Sequence, residues 1–227
     1  MTEALTAALR AAMPAGAALG QADPTAPATG LWPEEVAAMT RAVPARQREF
    51  AAGRRAARAA MSSLDLPPAP VLHGPNRAPV WPEGLTGTIS HGADLCFAVI
   101  ARKRALAAVG LDLEPATPLP DDLMETVCTA QERAQHTAPL AARLIFCAKE
   151  ATYKAQYAQS GALLEFHDLA VRLTADATGF TATLTRPCPP FPQGTAFSGH
   201  LVIADGIIAA LVALPAAGNT VFPDRGQ

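Results

Sequence analysis

Two stretches of the chain have the pattern of long helices. The first runs from Ala45 to Leu64, is rich in Ala, and carries five arginines and high helix propensity. The second runs from Pro139 to Gln159, and Gly161 is its expected stop. A short helix opened by Glu34 and Glu35 precedes the first of them, because acidic side chains suit a helix N-terminus.

Short apolar runs predict strands in both halves of the chain. They are Thr86–Ser90, Leu95–Ala101, Ala105–Leu113, 168–174, 179–185 and 197–213, the last divided by Asp205-Gly206, a strong hairpin signal. Residues 14–30 are rich in Pro, Ala, Gly and Thr and are predicted to be irregular, and residues 73–92 form an extended loop leading into a strand. We therefore expect an α+β fold of two units of similar size, 1–104 and 105–227, divided at the basic triplet Arg102-Lys103-Arg104.

The charge of the chain is small overall but unevenly spread. With 227 residues, half of them hydrophobic, it can bury a sizeable core. A net charge of -2 and a pI near 6.2 argue against a nucleic-acid or anionic-membrane binder. Residues 1–104 hold 11 Lys/Arg against 8 Asp/Glu, whereas residues 105–227 hold 7 against 12. The resulting charges of +3 and -5 suit a site with two differently charged parts.

Cysteine spacing and hydropathy bear on the compartment. The four cysteines form no CxxC pair and lack the dense spacing of a disulfide scaffold. No stretch approaches the roughly 20 apolar residues that span a bilayer, and the first residues do not have the pattern of an export signal. We therefore expect a cytoplasmic protein without a membrane anchor.

The first candidate chemistry lies in AVGLDLEP, residues 108–115. If this run is a strand, Asp112 and Glu114 leave the same face of the pleat, two residues apart. Neighbouring carboxylates repel each other, and a hard divalent cation such as magnesium relieves that repulsion. The alternative is a solvated strand end before a Pro-rich loop.

The second candidate lies in FCAKEATYKA, residues 146–155, within the second long helix. Glu150 and Lys154 stand at i and i+4 and share a helix face. An ordinary surface ion pair is one interpretation. The other is that Glu150 is a third carboxylate beside Asp112 and Glu114, which leaves Lys154 for a phosphate oxygen.

The third candidate is basic. Arg54 and Arg58 also stand at i and i+4, a cationic pair suited to phosphate. Arg77 and the pair Ser90-His91 follow in the extended loop and strand. Arginines on a helix surface are commonplace, however, and a histidine beside a serine is often structural.

Taken together and in order, these motifs resemble a known family. TISHG, VGLDLEP and FCAKEATYKA are similar to the three successive motifs of the 4'-phosphopantetheinyl transferase superfamily. REFAAGRRAAR and GPNRAPVWPEGLTGTISHG resemble its enterobactin synthase component D type, which serves siderophore synthesis, so the resemblance covers about residues 32–175. It implies a monomer of two similar α/β halves in a pseudo-twofold arrangement, with coenzyme A in the cleft between them.

The resemblance also implies an activity and a set of site residues. The activity is transfer of 4'-phosphopantetheine from coenzyme A to a serine of an apo acyl or peptidyl carrier protein, with magnesium. The implied metal ligands are Asp112, Glu114 and Glu150, and the implied catalytic residues are Glu150 and Lys154. The implied cofactor-binding residues are Arg54, Arg58, Arg77, Ser90, His91, Asp112, Lys149 and Lys154. A magnesium-dependent coenzyme A pyrophosphate hydrolase and a non-catalytic coenzyme A-binding protein remain as alternatives.

Overall fold

The computed structural model describes residues 2–74, 76–92 and 94–218, which form six α-helices and ten β-strands. The helices are α1 (Glu3–Ala12), α2 (Pro33–Ala37), α3 (Pro44–Ser63), α4 (Asp121–Val127), α5 (Ala130–Gln135) and α6 (Ala141–Ser160). The strands are β1 (Ala17–Ala22), β2 (Leu72–His73), β3 (Pro79–Val80), β4 (Leu85–Gly92), β5 (Leu95–Arg102), β6 (Leu106–Pro115), β7 (Leu169–Leu173), β8 (Gly179–Leu184), β9 (Ala196–Ala204) and β10 (Ile207–Pro215).

The chain packs into two compact units. The N-unit comprises residues 13–109 and 215–218, and the C-unit comprises residues 2–12 and 110–214. The division thus falls inside β6, a few residues after the boundary predicted at residue 104, because this strand joins the sheet of the C-unit. Helix α1 also belongs to the C-unit, where the Leu5 amide donates to Asp205 at 2.9 Å.

In the N-unit, α3 packs on a three-stranded antiparallel sheet with the order β1-β5-β4. Strand β1 lies within the segment predicted to be irregular, so that prediction was wrong. Its small residues have little strand propensity of their own, but they pair with β5 from Ala17↔Ala101 to Ala22↔Cys96. A Cβ atom on Gly20 would lie 2.0 Å from the Ala56 carbonyl oxygen, so α3 packs directly on the strand backbone.

In the C-unit, α6 packs on a five-stranded sheet with the order β6-β10-β9-β8-β7. The same kind of contact recurs here, because a Cβ atom on Gly110 of β6 would lie 1.9 Å from the Ala151 carbonyl oxygen. The helix ends at Gly161 in a left-handed conformation with φ of 64°, as the sequence predicts.

Both units are therefore mixed α+β structures built on antiparallel pairing, as predicted. Their sheets differ in size, with three strands against five. The pseudo-twofold arrangement and the monomeric state stay predictions.

The long helices and most strands agree with the sequence patterns. The turn between β9 and β10 places Asp205 and Gly206 at φ of 52° and 75°, as an Asp-Gly hairpin requires. Strand β4 is longer than predicted, and the loop before it contains the short pair β2 and β3. Helices α1, α4 and α5 were not predicted. The four cysteines are free and buried, and no helix in the described ranges is long and apolar enough to cross a membrane.

Candidate active site

The close approach of β6 to α6 builds the centre of the carboxylate site in the C-unit. Because Gly110 lets the strand lie against Ala151, a lysine three residues further along the helix reaches back to the strand. The Lys154 ammonium donates to Asp112 Oδ1 at 2.7 Å and to the Leu111 carbonyl at 3.0 Å. Asp112 is buried, so this ion pair lies largely away from solvent.

The three predicted carboxylates influence one another electrostatically. Burial raises the pKa of Glu114, and the charge of Asp112 raises it further. The pKa of Glu150 is raised by burial, then by Asp112 and Glu114, while Lys154 lowers it. Three acidic groups are thus crowded together, and nearby cations partly balance their charge.

Arg143 is one of these cations, and it was not predicted as a site residue. Its Nη1 atom donates to Glu114 Oε2 at 2.7 Å. A signal was available, because Arg143 precedes Glu150 by seven residues and Lys154 by eleven, two and three helical turns. All three side chains therefore share one face of α6.

The contacts of these side chains do not form a ready-made metal site, but their chemistry suits one. Among the described residues, no three His, Cys, Asp or Glu side chains are grouped so that they could hold a metal ion as they stand. Lys154 and Arg143 each bind an oxygen of a predicted ligand, Asp112 and Glu114. The donor chemistry nevertheless fits magnesium, because burial and then the charge of Asp112 raise the pKa of both Glu114 and Glu150, and a hard dication stabilises such neighbouring carboxylates.

Lys149, predicted to contact the coenzyme, has a different environment. Its side chain is 1% exposed, and its ammonium donates to Glu132 Oε2 at 2.9 Å and to the Val127 carbonyl at 2.8 Å. The ammonium therefore holds elements of the C-unit together. A phosphate-binding role for Lys149 stays a prediction, and the contacts do not favour it.

A small cavity of about 140 Å³ adjoins Glu150 in the same unit. It is lined by Lys149, Glu150, Tyr153, Leu164, Glu165, Phe166 and Leu169. Of the three predicted metal ligands, only Glu150 lines this cavity.

In the N-unit, the predicted pair of Arg54 and Arg58 does not form a two-pronged phosphate site. Arg58 binds the buried Glu35 through Nη1, at 3.0 and 3.2 Å from its two oxygens, and also donates to the Gly30 carbonyl. Glu35 in turn accepts the Val71 amide at 2.8 Å. The charge of Arg58 is therefore neutralised within the fold. A phosphate-binding role for Arg58 stays a prediction, and these contacts do not favour it.

Arg54 instead lines a cavity of about 340 Å³, whose wall also contains other arginines and a histidine. Those that line it are Arg46, Arg54, His73 and Arg77. The Arg54 guanidinium stacks on the Phe50 ring at 3.5 Å and donates to the Val71 carbonyl at 2.9 Å. Burial lowers its pKa to about 10, and the charge of Arg46 also lowers it, so a bound anion would stabilise this group.

His73 adds a polar atom to the same cavity. Its Nε2 atom is buried and has no hydrogen-bond partner within the described ranges, while Nδ1 lies 3.1 Å from the Gly74 carbonyl. Neither His73 nor Arg46 was predicted as a site residue. Arg46 lies eight residues before Arg54 on one face of α3, which was the available sequence signal.

Ser90 and His91 lie on β4 with opposite exposure. Ser90 is buried opposite Phe97 of β5, whereas the His91 side chain is 38% exposed. The His91 Nε2 atom lies 3.3 Å from Arg46 Nη1. His91 also lines a wider cavity of about 710 Å³ in the N-unit.

Comparison with known proteins identifies the family. The model described as the 4'-phosphopantetheinyl transferase N-terminal domain matches residues 33–101, and that of the 4'-phosphopantetheinyl transferase superfamily matches residues 108–204. The chain is also 38% identical over 207 residues to the 4'-phosphopantetheinyl transferase Svp of Streptomyces mobaraensis, across 87% of this chain and 84% of that protein. The chain belongs to the 4'-phosphopantetheinyl transferase superfamily.

Two further relatives show how similarity is distributed. The 4'-phosphopantetheinyl transferase PptT of Mycobacterium tuberculosis is 40% identical over 154 residues, covering 66% of this chain and 68% of that protein. Enterobactin synthase component D of Salmonella typhi is 38% identical over 117 residues, 48% of each chain. The enterobactin-type similarity thus covers less of the chain than the similarity to Svp.

Proposed function

We propose that this protein transfers the 4'-phosphopantetheine moiety of coenzyme A to a serine of an apo acyl or peptidyl carrier protein and releases 3',5'-ADP. The observation that carries the proposal is the contact of Lys154 with Asp112 at 2.7 Å, beside Glu114 and Glu150, in a chain of this superfamily. A cation and three coupled acids at one place suit phosphoryl transfer, where positioning and charge stabilisation dominate.

Different side chains of the C-unit have different roles in the reaction. The carrier serine oxygen attacks the phosphorus nearer the pantetheine, and the bond to the leaving phosphate of 3',5'-ADP breaks. Glu150 accepts the serine proton, either directly or through a water. The route through a water is physically easier, because a carboxylate that ligates a metal has a lowered proton affinity. The Lys154 ammonium stabilises the charge on the leaving phosphate or protonates it.

Magnesium is part of this proposal. Asp112, Glu114 and Glu150 are the residues that would hold it, and their mutual charge repulsion supports that choice. When bound, the ion supplies positive charge to the pyrophosphate oxygens of the substrate.

The cationic cavity of the N-unit is proposed to bind the 3'-phosphate of coenzyme A. Arg46, Arg54 and Arg77 bring three positive charges to its wall, and His73 brings a buried ring nitrogen. This differs from the sequence-based expectation, because Arg58 is bound to Glu35 and Arg46 lines the cavity instead. Ser90 and His91, which lie on β4, remain proposed contacts of coenzyme A.

A mass measurement tests the function. Apo acyl and peptidyl carrier proteins are incubated with the protein, coenzyme A and magnesium, and we expect a carrier to gain the mass of one phosphopantetheine. Cleavage of coenzyme A with unchanged carrier mass would instead show the hydrolase, and binding without either change would show a non-catalytic protein. Which carrier is modified also tests the siderophore assignment, which, like a cytoplasmic location, stays a prediction.

The 3'-phosphate proposal predicts a preference for coenzyme A over 3'-dephospho-coenzyme A. One charge-assisted hydrogen bond contributes about 1.5–3 kcal/mol, so the parent protein should prefer coenzyme A by about ten- to a hundredfold in kcat/KM. Arg46→Ala and Arg77→Ala should each lose much of that preference. Arg55→Ala is the control, because Arg55 lies on the same helix and donates to the carbonyls of Asp23, Pro27 and Thr29, outside the cavity.

Equal use of both cofactors by the parent would refute the proposed position of the 3'-phosphate. A loss of preference in Arg55→Ala as large as in Arg77→Ala would show that general positive charge, rather than this cavity, reads the phosphate. Arg58→Ala is not a suitable probe, since it leaves the buried Glu35 without its ion-pair partner.

A further inference from the structure

Arg143, in the first turn of α6, is fixed by more contacts than its ion pair alone. Its Nη1 atom donates to Glu114 Oε2 at 2.7 Å, and the two side chains are only 12% and 20% exposed. Its Nε atom donates to the Thr117 carbonyl at 3.2 Å, and Nη2 donates to the Pro118 carbonyl at 3.3 Å. The ring centroid of Phe146 lies 6.0 Å from the guanidinium carbon. The loop that follows β6 therefore holds the guanidinium in place independently of Glu114.

This anchoring has a consequence for the orientation of Glu114. A planar guanidinium that donates to two backbone carbonyls through Nε and Nη2 has a fixed orientation, which also fixes the directions of its Nη1 donors. The hydrogen bond engages only Oε2 of Glu114. The carboxylate is thereby restricted in rotation, and Oε1 takes no part in this hydrogen bond.

Electrostatic balance decides whether such an arginine assists or opposes a cation. Asp112, Glu114 and Glu150 contribute three negative charges, and Lys154 and Arg143 contribute two positive charges, so the formal charge of the group is -1. A dication is therefore not repelled by the group as a whole. Orientation of a ligand by a hydrogen-bonded neighbour generally strengthens metal binding, typically by ten- to a hundredfold.

We propose that Arg143 is a positioning residue of the metal site, which holds Glu114 by Oε2 and so restricts the orientation in which its carboxylate would bind the ion. The proposal rests on the proposed function, in which Glu114 is a magnesium ligand. It goes beyond that function by giving a role to Arg143, which is not one of the acids or lysines of the three motifs. Arg143 acts through Glu114 and does not itself touch the substrate.

Binding of Mn²⁺ to the protein without coenzyme A provides the test, because manganese accepts the same oxygen ligands as magnesium and is visible by electron paramagnetic resonance. We expect Arg143→Ala to raise the Mn²⁺ dissociation constant about ten- to a hundredfold. Arg143→Lys should lie between this variant and the parent, since lysine keeps the charge but not the planar geometry. Arg186→Ala, which removes a comparable arginine–Asp168 pair on the surface of the same unit, should bind as the parent does.

A double variant separates orientation from a general structural effect. If Arg143 acts through Glu114, adding Arg143→Ala to Glu114→Gln should weaken Mn²⁺ binding by less than about twofold more, because coupled residues are not additive. Unchanged or tighter Mn²⁺ binding by Arg143→Ala, or full additivity in the double variant, would overturn the proposal. Failure of the parent to bind Mn²⁺ would instead refute the metal site of the proposed function.

Discussion

Replacing Asp112 with Asn is expected to reduce transfer to the carrier by about a thousandfold or more. Asp112 contacts Lys154 and raises the pKa of both Glu114 and Glu150, so it acts on both other acids of the site. Charge stabilisation of a phosphoryl group by a metal site contributes several kcal/mol, and each 1.36 kcal/mol corresponds to a factor of ten in rate. Single-turnover carrier modification, measured at saturating coenzyme A and magnesium, reports this loss directly.

The same variant should fold normally, which separates chemistry from stability. Asp122→Asn, at an exposed position of α4, is the matched control and should keep parental activity. A chelator should inactivate the parent and the control alike. Parental turnover by Asp112→Asn, or turnover by the parent in chelator, would be incompatible with the carboxylate site as proposed.

The pH dependence of the protein's stability provides an independent test of the unfavourable ionisation of Glu114 and Glu150. The pKa values of Glu114 and Glu150 are raised in the folded state, so their contribution to stability falls as pH rises through those raised values. Lowering the pH from neutral into the mildly acidic range should therefore relieve repulsion at these two residues. The relief should be smaller in Asp112→Asn, because part of the repulsion has already been removed, and thermal unfolding at several pH values would show it.

Helices and turns that depend only on neighbouring residues could be predicted from local sequence patterns. The helix expected over Ala45–Leu64 is α3, because Pro44 suits the first helical position and the following residues have high helix propensity. The hairpin at Asp205-Gly206 followed from turn chemistry that needs only two residues. Strand β1 could not be found in this way, because its Ala- and Gly-rich sequence becomes a strand only through pairing with β5 and packing under α3.

The residues of the candidate site also differ in whether local sequence or the tertiary fold determines their contacts. Asp112, Glu114, Glu150 and Lys154 were identifiable because strand and helix periodicity fix which of them share a face. Arg58 was assigned to a phosphate from its spacing to Arg54 and from the family resemblance, and that role stays a prediction. Its partner in the fold, Glu35, lies 23 residues away in sequence, and nothing local indicates that the two meet. A buried carboxylate that accepts a backbone amide and forms an ion pair depends on the tertiary fold, so local sequence does not reveal it.

Lys149 was assigned to the coenzyme for the same reason, since Glu132 lies 17 residues before it. Glu132 and Glu35 occupy the third position of the short helices α5 and α2, respectively, and each accepts the amide of its own N-cap residue. Each also receives a cation from the 20-residue helix of its unit. The two units thus fix a short helix to a long helix with the same type of buried ion pair.

Removing Lys149 is therefore expected to affect stability more than chemistry. Glu132 is 2% exposed and accepts the Thr129 and Val171 amides, each at 2.7 Å, as well as the Lys149 ammonium. Lys149→Ala would leave this carboxylate buried without its counter-charge, and breaking such a pair costs about 3–5 kcal/mol. Urea-induced unfolding followed by circular dichroism measures the loss. Arg186→Ala, which breaks an exposed pair with Asp168, should lose at most about 1 kcal/mol.

Removing both charges together distinguishes the structural role from coenzyme binding. In Lys149→Met with Glu132→Gln, the amide oxygen of Gln can accept one of the two backbone amides that Glu132 accepts, and no unpaired charge remains buried. Replacing a buried ion pair by neutral groups of similar volume is often close to neutral in stability, so we expect this variant to recover much of what Lys149→Ala loses. It should also keep near-parental affinity for coenzyme A, because the Lys149 ammonium faces Glu132 and the Val127 carbonyl. Recovered stability accompanied by a tenfold or greater loss of affinity would instead establish Lys149 as a phosphate ligand.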